Sequence, residues 1–252
     1  MTDPVLLYRD DDFVVVHKPA GLLVHRSPID RRETRFALQL VRDLVGRRVY
    51  PVHRLDKPTS GILAFGLSSD AARRLAEAFA AGTVRKTYLA VVRGVVPDSG
   101  LIDHPLVEEL DRYGDPLAEP DKGPQPAVTA FRRLATAELP FAVGRYPTSR
   151  YSLVEANPKT GRRHQLRRHF KHLLHPLIGD TKYGEGRHNR FFREQYGCQR
   201  LLLAAVELSF VQPFSGEALR IAAPPQEDFR EVIEGLGWGD VLAGRWEDGA
   251  SR

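Results

Sequence analysis

Asp56 stands between Arg54 and Lys57 in the run His53-Arg54-Leu55-Asp56-Lys57-Pro58-Thr59-Ser60-Gly61. A single carboxylate among three basic side chains has the makings of a reacting group, because close cations favour its charged form. An aspartate ionised at neutral pH suits a nucleophile or a base and not a general acid. The same nine residues also fit a salt-bridged aspartate that only pins a turn, since structural ion pairs perturb carboxylates too. The residues alone leave both readings open.

A second stretch, Asn157 to His169, carries the opposite charge. Between Ala156 and Gly179 lie Lys159, Arg162, Arg163, Arg167, Arg168 and Lys171 with no acid, so this segment is as basic as the whole chain, whose net charge is +5. A local basic surplus points to an anionic partner more directly than a total does. The spacing predicts a helix over 163–174, with Leu166, Phe170, Leu173 and Leu174 inward and His164, Arg168 and Lys171 outward. Arg167 falls about 100° from Leu166, at the edge of the buried face. A half-buried arginine there requires a carboxylate partner, and Asp56 is a candidate. A solvated basic helix fits the charges equally well. The histidines at 164, 169, 172 and 175 raise the question of a metal, but the cations among them and their spacing argue against one.

The remaining elements must hold these two stretches together. Val5–Tyr8 and Phe13–Val16 read as strands around an Asp turn, followed by a turn at Lys18–Gly21 and an extended run at Leu22–His25. Residues 31–48 read as a helix with Phe36, Leu40 and Leu44 on one stripe. Ile62–Leu67 reads as a buried strand, so Asp56 sits on a loop anchored by a rigid element. A helix capped by Ser68 or Ser69 follows, then a strand over 86–92 containing Tyr88. Residues 97–125 read as an irregular surface excursion rich in acids. Strands are predicted at 128–134, 151–155, 201–205, 207–211 and around Leu219, with a last helix after Pro224-Pro225. Many short strands without regular βαβ alternation predict an α+β fold with a mostly antiparallel sheet.

Composition narrows the class. A chain of 252 residues with 42% hydrophobic and 27% charged residues is ordinary for a globular protein. A single Cys198 excludes an intrachain disulfide or a multi-Cys zinc site. No signal-like segment or membrane-length apolar run is present, which predicts the cytosol. No nucleotide or cofactor motif stands out, because Gly82–Thr87 lacks the glycine that a phosphate loop places before its lysine.

His53-Arg54-Leu55-Asp56 followed by Thr59-Ser60-Gly61 resembles the signature of the RluA-type pseudouridine synthases, and Gly161–His169 resembles their later arginine motif. Lys18–Leu22, Lys86–Ala90, His175–Asp180 and Pro213–Glu217 fit the same family in the same order. Finer features, His25-Arg26-Ser27, Asp121–Thr129 and Gly144–Thr148, resemble the branch that modifies uridine 65 of tRNA. One departure is Ala204, where relatives usually have histidine.

The resemblance implies the pseudouridine synthase catalytic fold: a central mostly antiparallel mixed sheet flanked by helices and loops, with an RNA-binding cleft. It implies one catalytic domain over 1–252, without an additional N-terminal RNA-binding domain; the sequence does not set the oligomeric state, and a monomer is favoured. The implied reaction isomerises a uridine in RNA, most directly tRNA, by base flipping and without cofactor or metal. Asp56 would be nucleophile or base at the ribose, Arg167 would pair with it, and Tyr88 would stack on the uracil and relay a proton. Leu166 would close the apolar side and Arg54 fill the gap left by the flipped base. His53, Arg162, Gln165, Arg168 and Lys171 would contact the RNA. The same motifs fit a synthase with another tRNA or ribosomal RNA target, while an RNA-binding or chaperone module without chemistry would not need Asp56, Tyr88 and Arg167 together.

Overall fold

The computed structural model describes residues 2–26, 33–107 and 123–246 and the backbone of residues 250–251. Strands β1 (Val5–Arg9) and β2 (Phe13–Lys18) form a hairpin. Its turn is closed by the Asp10 carboxylate, which accepts the N–H groups of Asp12 and Phe13 at 2.8 and 2.6 Å. Helix α1 (Ala37–Val45) and a short β3 (Tyr50–Pro51) lead to β4 (Ser60–Gly66), buried at every residue. Helix α2 (Ser69–Ala80) begins where the Ser68 hydroxyl accepts the Ala71 N–H at 3.1 Å, which satisfies a donor the helix leaves unpaired.

Then come β5 (Arg85–Arg93), β6 (Ser99–Asp103), β7 (Val128–Leu139) and β8 (Ser149–Pro158). Helices α3 (Gln165–His172) and α4 (Gly186–Tyr196) precede β9 (Leu203–Val211), β10 (Ala218–Ala222), α5 (Glu227–Gly235), a single 3-10 turn at Gly239–Leu242 and β11 (Ala250–Ser251). The sheet runs β1-β2-β4-β9-β5-β8-β7-β6, with β3 on β4, β10 on β9 and β11 on β10. Among the described strands only β4 and β9 pair in parallel. The result is the expected α+β fold with a mixed, mostly antiparallel sheet.

Alternation along the strands divides the core between two faces. On one face Phe13, Val15 and Ile62 meet Leu75 of α2, while Leu89, Val91 and Leu153 meet Phe192 of α4 and Phe229 and Val232 of α5. On the other, Val14, Leu63 and Phe65 meet Ala37 and Val41 of α1, while Ala90, Val92 and Val154 meet Leu166 and Phe170 of α3.

Several expectations are corrected. Leu22–His25 forms no strand beyond one bridge from Leu23 to Phe36. Helix α1 buries Ala37, Val41 and Val45 and leaves Leu44 51% exposed. Phe36 is the residue before the helix, so the buried stripe starts one position later. The excursion over 97–125 contains β6, whose Ile102 is buried and Leu101 exposed. Its acids Glu108, Glu109, Asp111, Asp115, Glu119 and Asp121 lie outside the described residues, as do Ser27 and the start of the helix predicted from residue 31. The two strands expected at 201–211 are one, because β5 pairs along its length with a single register shift. Helix α4 was not anticipated: its inward face, His188, Phe191, Phe192 and Tyr196, mixes polar and aromatic residues and carries no aliphatic stripe.

Candidate active site

Asp56 lies on the loop between β3 and β4. Its carbonyl accepts the Thr59 N–H at 3.0 Å, closing a turn immediately before β4. The strand is held against β9 by Gly61, whose φ is 114°. A Cβ there would lie 2.0 Å from the Ala205 carbonyl oxygen, so only glycine allows this approach. The loop is also tied to the first family motif. The Lys57 carbonyl accepts the Gly21 N–H at 2.8 Å and the Lys18 Nζ at 3.3 Å. Lys18 is wholly buried and also donates to the carbonyls of Pro19 and Leu22, at 2.9 and 2.8 Å. Burial, then the charge of Arg200, pushes the Lys18 ammonium down to about 7, against the pull of Asp56.

Arg167 reaches the loop from the first turn of α3. Its Nη1 donates to Asp56 Oδ2 at 3.2 Å, the partnership anticipated from the sequence. Its Nε and Nη2 donate to Oδ2 and Oδ1 of Asp180 at 2.7 and 2.9 Å. This bidentate match is the strong geometry for a guanidinium and a carboxylate. Asp180 also accepts the N–H groups of Lys182 and Tyr183, both at 2.9 Å. Burial would raise the Asp180 pKa, but hydrogen bonds from Arg167 and the backbone outweigh it and hold the carboxyl below its usual range. Burial would likewise lower the Arg167 pKa, and Asp180 first, then Asp56, outweigh it and raise it.

Tyr88 occupies the seam between the two cores on the α1–α3 face. It packs against the cluster containing Leu55, the neighbour of Asp56, and the cluster containing Leu166, the neighbour of Arg167. Burial first, and the Asp56 charge second, raise the Tyr88 hydroxyl pKa, so it remains a phenol at neutral pH. The hydroxyl therefore keeps its proton within the field of the Asp56 charge.

The other sequence candidates divide. Arg54 is exposed and, among the described residues, makes no hydrogen bond or ion pair. Arg162 and Lys171 are exposed and Arg168 half-buried, all around α3. Arg162 and Arg168 donate to the carbonyls of Pro126 and Val107 at 3.1 and 2.9 Å. Gln165 is turned inward: its amide binds Val128 O, the Thr129 and Thr160 hydroxyls and the Arg162 N–H, so it staples β7 to α3. His53 accepts the Ala64 N–H at 3.1 Å and stacks on Phe79. Burial, then Lys86, pushes it down to about 3, so it is a neutral support of the loop. The expected face of α3 is also corrected. His169 is fully buried between the Thr129 hydroxyl and the His104 carbonyl, while Leu174 is 74% exposed in a left-handed conformation that ends the helix.

Sequence reasoning missed Asp180, Tyr183 and His164. Asp180 closes the His175–Asp180 motif, and a buried arginine's need for full pairing was the signal. The Tyr183 ring lies 5.1 Å from the Arg167 guanidinium, and its hydroxyl lies 2.9 Å from His164 Nδ1. Nothing local in the sequence marked it. Ala204, the departure from the family pattern, is wholly buried on β9, in register with Ser60 of β4 and Leu89 of β5.

Among the described residues no three His, Cys, Asp or Glu side chains could hold a metal ion, and no helix is long and apolar enough to cross a membrane. A cavity of about 360 Å³ near Asp10, Asp12, Gln212 and Glu217 lies at the β1–β2 turn. Its carboxylates would repel a polyanion.

Residues 12–172 match the family described as RNA pseudouridylate synthase. The chain is 52% identical over 237 residues to a tRNA pseudouridine synthase C of Pectobacterium carotovorum subsp. carotovorum, covering 94% of this chain but only 63% of that relative, less than two thirds of its length. It is also 52% identical to the Salmonella typhi protein of the same name, covering 94% and 91% of the two chains. Among solved structures, human RNA pseudouridylate synthase domain containing 4 superposes with a TM-score of 0.68 at 25% identity, covering 92% and 93% of the two chains. Human RNA pseudouridylate synthase domain containing 1 gives 0.66 at 28%, covering 88% and 84%.

Proposed function

The chain belongs to the RNA pseudouridylate synthase family, and from that premise we propose that it isomerises one uridine of tRNA, uridine 65, with Asp56 acting on the ribose. The observation that carries this reading is the single N–H that Arg167 gives to Asp56. It orients one carboxylate oxygen and leaves the other directed at the substrate. The relatives bearing the name tRNA pseudouridine synthase C support tRNA as the substrate.

In the proposed reaction the bond between ribose C1′ and uracil N1 breaks, the uracil turns while held, and C1′ bonds to C5. The proton leaving C5 is balanced by one gained at N1, so the product is an isomer. Asp56 acts as nucleophile at C1′ or as base at the ribose, and both routes use its carboxylate oxygen. Tyr88 stacks on the turning uracil and Leu166 closes the apolar wall. A paired uridine must first leave its stack, at a cost of about a few kcal/mol, and exposed Arg54 fills the vacated place. The cations around α3 bind phosphates and align the RNA. The protein works in the cytosol as a single catalytic domain.

Mapping pseudouridine in tRNA and ribosomal RNA, with and without the gene, tests the proposal. The expected result is loss at tRNA uridine 65 alone, restored by the wild-type gene. Loss at another uridine would reassign the target, and no loss would leave an RNA-binding protein without chemistry.

A further inference from the structure

His164 has φ 54° and ψ 25° at the entrance to α3. A non-glycine residue held in the left-handed region costs free energy, and such outliers cluster at working sites. The ring is fixed from one side, with Nδ1 2.9 Å from the Tyr183 hydroxyl and the two rings edge to face at 5.6 Å. On the other side Nε2 lies 3.9 Å from Asp56 Oδ1. Arg167 takes Oδ2. The two basic groups thus address different oxygens of one carboxylate.

A separation of 3.9 Å is too long for a direct hydrogen bond. It fits a single bridging oxygen with legs of about 2.8 Å, which meet at roughly 90°. That oxygen must donate to the carboxylate and accept from the imidazole. In the tautomer that this requires, Nε2 carries the N–H and Nδ1 accepts the Tyr183 hydroxyl 2.9 Å away. A phosphate oxygen cannot donate, but a ribose hydroxyl does both, and the 2′-hydroxyl is the group that separates RNA from DNA.

We propose that His164 is a ribose-binding residue: the 2′-hydroxyl of the target uridine bridges His164 Nε2 and Asp56 Oδ1. The left-handed backbone turns the imidazole toward the carboxylate instead of along the outer face of α3. The inference rests on the reading of Asp56 as the group acting at the ribose.

Single-turnover rates test it, for wild type, His164→Asn and His164→Gln, on tRNA carrying uridine or 2′-deoxyuridine at the target. Asparagine tolerates the left-handed backbone but falls short of the ribose, while glutamine carries an amide N–H close to the Nε2 position. On the ribose substrate His164→Asn is expected to slow turnover about 3- to 10-fold, the worth of one hydrogen bond, and His164→Gln to recover most of it. On the deoxy substrate wild type and His164→Asn should agree within about twofold, because the partner is already gone. Where that substrate is not turned over, the affinities of the two tRNAs carry the same comparison. An equal penalty on both sugars would overturn the proposal and leave His164 a support of the loop. Wild-type enzyme inactive on the ribose substrate would instead overturn the reading of function.

Discussion

Arg167 is bound more closely to Asp180 than to Asp56, with two contacts of 2.7 and 2.9 Å against one of 3.2 Å. The Asp180 side chain is wholly buried and also receives two backbone N–H groups. The guanidinium is therefore fixed before any substrate arrives. Asp56, whose side chain is 25% exposed, takes a single N–H from Nη1. A strong inner pair thus orients a weaker outer one, which leaves the outer carboxylate open to the substrate.

Asp180→Asn should lose both stability and rate. It removes the charge that opposes a buried guanidinium, a change that costs about 3 kcal/mol or more when one partner of a buried pair is lost. Urea unfolding should show that loss, and turnover should fall with little change in RNA affinity. A variant as stable and active as wild type would mean that Arg167 does not depend on Asp180.

Asp56→Asn should separate chemistry from folding. Arg167 keeps its bidentate partner, so unfolding should shift by less than about 1 kcal/mol, as for partly exposed pairs. RNA binding should persist while pseudouridine formation falls at least about 10⁴-fold, the scale of losing a group that reacts directly. Appreciable turnover by this variant would remove Asp56 from the reacting role.

The sequence showed this pair from both ends. Asp56 was recognisable by its crowded cations, and Arg167 by its position at the margin of an apolar stripe. Both signals are local, since each depends on residues within one turn or loop. Asp180 was hidden because a carboxylate that only completes an arginine's pairing looks like any other loop acid. Helix α4 was hidden because its inward face is built from His188, two phenylalanines and Tyr196 and not from an aliphatic stripe. Gln165 and His53 were read as RNA contacts on their motif membership, and the Gln165 amide donates to Val128 and Thr129 while His53 Nε2 accepts the Ala64 N–H. Residue type does not reveal whether a polar group faces inward, because that depends on what the sheet brings opposite it.

Acid should weaken the helix that carries Arg167. Burial first pushes His169 down to about 4, against an ordinary value of 6.5. Between these values the unfolded chain binds a proton that the folded chain refuses. The contribution of His169 is thus complete above about pH 6.5 and lost as pH falls toward 4, on the order of 3 kcal/mol at full extent. His169→Gln, which titrates nowhere in this range, should lose less stability than wild type between pH 7 and pH 5 in paired urea titrations. Equal losses would show that His169 takes up its proton in the folded state as readily as in the unfolded one.

Lys171 offers the cleanest measure of the charged surface. It is exposed on α3, its Nζ lies 5.8 Å from the Tyr183 ring centre, and among the described residues no carboxylate pairs with it. A cation in that setting adds little to folding but releases a counterion when it meets a phosphate. Lys171→Ala should therefore leave unfolding within about 0.5 kcal/mol of wild type. It should reduce the slope of log affinity against log salt by about 1, so that wild type and variant converge as salt rises. Arg162 and Arg168 are less clean probes, because their guanidinium groups also hold the Pro126 and Val107 carbonyls. An unchanged slope would place the RNA phosphates away from this side of α3, and the path of the RNA would then have to approach Asp56 from the Arg54 side of the loop.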